Sequence, residues 1–121
     1  MANKSKAHAQ ARHALRRGLD RFHLDLTEND LLAIAGNCRN CWLSVVLNHQ
    51  SLRVALKYTY FEGNWYPVVY DRNRKSIVTF LETDMLSVKE REIAEKHATS
   101  EEVVKFIEKM HSNGYRNRRL I

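Results

Sequence analysis

At 121 residues the chain suits a single folding unit with a modest but sufficient core. Its 44% hydrophobic and 9% aromatic content belongs to a globular chain and argues against disorder. The net charge of +6 favours a polyanionic partner over an acid-seeking one, and the lack of any run of about 18 apolar residues argues against a membrane-spanning helix.

The charge is unevenly placed. Residues 1–25 carry Lys4, Lys6, Arg12, Arg16, Arg17 and Arg21 against Asp20 and Asp25, and YRNRRLI at the end carries three arginines and no acid. Residues 82–110 hold eight acids and five bases. The opening MANKSKAHAQARHALRRG is positive but lacks the apolar stretch of a secretory signal, so the cytoplasm is the expected location.

The spacing predicts a first helix over 4–23. At about 100° per residue, Ala7, Ala11, Ala14, Leu15, Gly18, Leu19 and Phe22 share one face, with His8 and Arg12 at its edge. Thr27, with Asp30 three residues on, reads as the N-cap of a second, short helix that stops at Gly36-Asn37. Four strands follow: Trp42 to Leu47, Leu52 to Tyr60, Trp65 to Tyr70 and Ser76 to Leu81. Glu62-Gly63-Asn64 and Asp71 to Lys75 supply the turns, so the strands form an antiparallel meander. Pro67 implies that its strand lies at an edge or that the proline stands early in it. Ser87 to Glu90 and Thr99 to Glu102 are capping-box patterns that open two further helices, the second ending at Asn113-Gly114. The expected fold is α+β: N-terminal helices packed on a four-stranded antiparallel sheet, then two C-terminal helices.

The chemistry-bearing residues are few. Cys38 and Cys41 form one CxxC where a structural zinc site wants four ligands, so they read as ordinary thiols ahead of a metal or redox pair. There is no GxSxG elbow, no HExxH motif, no Gly-rich phosphate loop and no paired carboxylates in apolar surroundings. Histidine, arginine, lysine and hydroxyl chemistry remains. That set could cleave RNA without metal, because the 2′-OH is an internal nucleophile that needs proton transfer and cations beside the phosphate. His8 and His49 could move protons, and Arg12, Arg53 and Lys57 could hold phosphate. Each has a plainer reading: His8 as a packed histidine, His49 as a turn residue, Thr79 as an ordinary strand residue, and Arg72, Arg74 and Lys75 as charges that keep a hairpin soluble.

SKAHAQARHALRRGLDRFHLDLT over 5–27, then Gln50-Ser51, then VVYDRNRKSIVTFL over 68–81, resemble a family of small phage and bacterial domains. Its pattern is similar to the barnase–EndoU–colicin–RelE group of metal-independent ribonuclease-like folds. The resemblance covers about residues 4–82. It implies a ribonuclease-like domain over 1–82, with residues 83–121 as a helical extension packed on it and ending in a basic tail. It implies a catalytic set of His8, Arg12 and Thr79, with Thr79 facing a groove beneath the first helix. Lys4, Arg16, Gln50, Ser51, Arg53, Arg72, Arg74 and Lys75 would guide RNA to it, with no metal or other cofactor. The chain departs from the pattern at His23, where a glycine is expected, and after Thr79, where a proline is. The added C-terminal residues suggest an alternative partner, a host protein inhibited through residues 99–121.

Overall fold

The computed structural model describes residues 2–113, with side chains from Ala9 onward. Helices α1 (Ala2–Phe22) and α2 (Glu28–Asn37) precede strands β1 (Ser44–His49), β2 (Val54–Phe61), β3 (Asn64–Asp71) and β4 (Ser76–Phe80). A short 3-10 turn at Thr83–Met85 leads into α3 (Val88–Ala98) and α4 (Glu101–Ser112). The sheet order is β1-β2-β3-β4 and every pair is antiparallel, which is the predicted α+β meander. No helix among the described residues is long and apolar enough to cross a membrane.

Local chemistry explains the punctuation. Thr27 and Asp30 form a reciprocal capping box that starts α2, and Ser87 and Glu90 do the same for α3. Thr99 instead closes α3, and α4 starts from Ser100, whose side chain makes no cap hydrogen bond. Glu62 and Gly63 both have positive φ, the type I′ geometry whose twist matches a tight hairpin. His23 also has positive φ, at 56°, and its N–H bonds back to the Leu19 carbonyl at 3.0 Å, the five-residue closure of a left-handed helix cap. The position where the family pattern expects glycine is therefore a left-handed helix stop, and histidine holds it at some conformational cost.

The sheet is covered on both faces. Under α1 and α2, a core gathers Ala14, Leu31, Ile34, Phe61, Tyr66, Val68, Ile77 and Phe80. On the other face Leu47, Leu56 and Val69 pack against Leu86 and Ala94, so α3 completes a second apolar layer. Gly18 lets α1 approach closely: a Cβ there would sit 3.2 Å from Leu26 and 3.3 Å from Phe80. The buried arc of α1 is centred on Ala14 and Gly18. Leu19 lies roughly 100° round the helix from Gly18 and is 49% exposed, unlike its predicted place in the apolar face.

Pro67 is buried in a central strand, not at an edge. Its carbonyl accepts from Leu81 N–H, one residue past the end of β4. The missing proline N–H therefore points where the ladder runs out, which is why a central strand tolerates it.

Candidate nucleic-acid interface

The end of the helix-covered face nearest the β3–β4 turn collects the basic groups. Register aligns His49 with Ala55 and Ala55 with Tyr70, and Tyr70 with Ile77, in one row across the sheet. Lys57 stands two residues from Ala55 on the same face. Its ammonium donates to the Cys38 carbonyl just after α2, at 2.5 Å, and lies 5.7 Å from the Tyr70 ring centroid. Burial lowers the Lys57 pKa; the Cys38 sulfur opposes that shift and the Arg72 guanidinium adds to it.

Two guanidinium groups flank this ammonium. Arg39 donates to the Tyr70 hydroxyl at 3.4 Å and to the Ala35 carbonyl at 3.5 Å. Arg72 donates to the Leu52 carbonyl at 3.2 Å and to His49 Nδ1 at 2.7 Å. A guanidinium has no lone pair to offer, so Nδ1 is the acceptor and a neutral His49 carries its proton on Nε2. Among the described residues, no carboxylate pairs with Arg39, Lys57, Arg72 or Arg74. The acids of the described ion pairs go elsewhere: Asp20 to Arg16, Asp71 to Arg53 and Glu101 to Lys105. Arg39, Lys57, Arg72 and the His49 imidazole thus share a face with no carboxylate paired to them among the described residues, an arrangement suited to phosphate oxygens.

The residues expected from sequence fall into separate places. Thr79 is opposite Val69, which belongs to the α3-side core, so it lies on the face away from α1. Its hydroxyl bonds to the Phe80 carbonyl at 3.4 Å. A β-bulge causes this: the register slips between Val69 and Tyr70, placing Val78 and Thr79 together on one side. The groove expected beneath the first helix therefore does not contain Thr79. Arg12 is exposed on α1, where it was expected to meet the sheet, and Arg16 is exposed beside Asp20 at 3.7 Å. His8 and Lys4 have side chains outside the described residues, as does the basic tail. Gln50 and Ser51 form the tight β1–β2 connection, where the Ser51 hydroxyl accepts from the Arg53 and Val54 amides.

Arg53 is a structural clamp. Its Nε and one terminal nitrogen meet Asp71 Oδ2 at 2.9 and 2.8 Å. The other Asp71 oxygen accepts from the Asn73 and Arg74 amides. The carboxylate thereby holds the basic turn in shape, with Arg74 and Lys75 exposed on it. Burial pushes the Asp71 pKa up, but the Arg53 hydrogen bond and charge and the two amides outweigh it, and the net shift is downward. A lowered folded-state pKa stabilises above the unfolded value and is lost as pH falls through the folded one. Asp71→Asn should cost about 1–3 kcal/mol at neutral pH. It should also flatten the acid limb of stability below about pH 4, measured by urea unfolding across pH.

The two cysteines do not form a pair. Cys38 is buried with its Sγ 3.3 Å from the Thr59 hydroxyl, and burial pushes its thiol up to about 11; Cys41 is exposed. Sequence reasoning missed Arg39 and Tyr70. The only local hint was Lys57 on the polar side of β2, a side that packs beneath α2 and leaves Lys57 half-buried. No family model, no curated protein and no solved structure matches this chain.

Proposed function

We propose that this protein binds RNA through the phosphate backbone at the face formed by Arg39, Lys57 and Arg72. The observation that carries the reading is the gathering of Arg39 and Lys57 at Tyr70, with Arg72 held beside His49, and no carboxylate among their described partners. Arg74 and Lys75, on the adjoining turn, extend the path. RNA rather than DNA rests on the resemblance of 5–27 and 68–81 to ribonuclease-like domains.

Counterion release makes such binding steeply salt-dependent. About three phosphate contacts on a single strand give a slope of about −2 in log affinity against log salt. A labelled short RNA followed by anisotropy between about 50 and 200 mM salt reads this slope. A slope near zero would remove the proposal.

Metal-independent cleavage is a second reading, supported by the imidazole of His49 beside Arg72. It predicts RNA fragments in excess EDTA from the wild type and none from His49→Ala. The alternative of a protein inhibitor acting through α4 has less apolar surface to draw on. Val103 is buried and Phe106 stacks on Trp42 at 5.7 Å, so much of the apolar side of that helix is already occupied.

A further inference from the structure

Beside the cationic face lies a cleft of about 560 Å³ between α1, α2 and β4. Its walls are apolar: Ala11, Leu31, Leu32, Ala35 and Ile77. Two of them touch the cationic cluster directly. Ile77 is the cross-strand neighbour of Tyr70, and the Ala35 carbonyl accepts from Arg39. The cleft is thus continuous with the proposed phosphate path.

Its polar groups are few: Gln10, Arg74 and Ser76 toward the β3–β4 turn, and Glu28 from the first turn of α2. Arg74 reaches across to the Gln10 side-chain oxygen at 3.2 Å. The Ser76 hydroxyl is buried in the cleft wall and has no hydrogen-bond partner among the described residues. A buried hydroxyl left unpaired is unfavourable, so this wall is incomplete without a polar edge to meet it. Apolar sides with a few polar groups between them complement a flat ring with hydrogen-bonding atoms on its rim. The volume falls within the range of small-ligand sites.

We infer that the cleft takes one nucleobase of the bound RNA strand, stacked between α1, α2 and Ile77, with its edge meeting Ser76 and Arg74. The inference rests on the phosphate-binding reading and adds a base subsite to it. The serine hydroxyl both donates and accepts, so it suits more than one base, whereas Arg74 favours an edge rich in acceptors, such as the O6 and N7 of guanine.

The test compares two labelled strands of equal length, one an ordinary RNA and the other carrying abasic sugar-phosphates in place of its nucleosides. The ordinary strand should bind roughly tenfold tighter. Ala11→Leu, which fills the cleft and keeps a good helix former in α1, should erase that advantage and leave abasic binding unchanged. Ser76→Ala should reduce it, and serves as the second variant if Ala11→Leu lowers the thermal midpoint. Equal affinity of the two strands for the wild type would overturn the base subsite and leave the phosphate reading standing. Failure of both strands to bind would overturn both.

Discussion

Replacing Arg39, Lys57 and Arg72 together, as Arg39→Gln, Lys57→Met and Arg72→Gln, is expected to weaken RNA binding at least about 100-fold at low salt. Hydrogen bonds from charged groups are worth about 1.5–3 kcal/mol each, and three lost together exceed the roughly 2.7 kcal/mol that 100-fold requires. The salt slope should fall by about 0.7 for each phosphate contact removed. Stability should change little by comparison. Arg39 is exposed, methionine keeps the Lys57 stem against Tyr70, and loss of the half-buried ammonium relieves a partly desolvated charge. A matched triple change on the opposite side, at the exposed Lys89, Lys96 and Lys105, should leave affinity within about threefold, because charges beyond a Debye length are largely screened. Anisotropy titrations of the two variants beside wild type decide the matter. Equal losses from both would mean that total charge drives binding rather than this face.

Phe80→Ala should destabilise the fold by about 3–5 kcal/mol. Phe80 is fully buried at the junction of α1 and the sheet. Its ring meets Phe22 and Tyr66 edge-on, each at 6.3 Å between centroids, and those two rings meet each other at 5.0 Å. Arg21 donates to its carbonyl, so the same residue anchors α1 through both ring and backbone. Alanine would leave a cavity bounded by Gly18, whose missing side chain cannot fill it. Typical domains hold only about 5–15 kcal/mol, so a large share of the stability would go. Val104→Ala, on the outer side of α4, should cost under about 0.5 kcal/mol by the same urea unfolding.

Much of the architecture was legible because it is written in local chemistry. Thr27 and Ser87 announce helix starts through side-chain bonds made within three residues, and Glu62-Gly63 announces a hairpin through its tolerance of positive φ. The errors share a cause: they concern which way a residue faces once partners distant in sequence are in place. Thr79 changes sides because of a bulge that the alternation of Ile77, Val78 and Phe80 does not reveal. Thr59 looks like the solvent side of β2 but is fully buried beneath α2, where Cys38 meets its hydroxyl. Arg53, read as a phosphate clamp, is held by an aspartate 18 residues away. The cationic face needed the same long-range information, since Arg39 and Tyr70 are 31 residues apart and meet only when α2 lies across the sheet.

The proposed binding places RNA on one face of the sheet and does not depend on the basic character of the chain as a whole. An amide and side-chain NMR titration with a short single-stranded RNA tests it most directly. Shifts are expected to concentrate at Arg39, Lys57, Tyr70 and Arg72 and along the Arg74-Lys75 turn, with α3 and α4 nearly unmoved. Shifts centred on Val88–Ser112, or no shifts at concentrations where anisotropy reports binding, would contradict it.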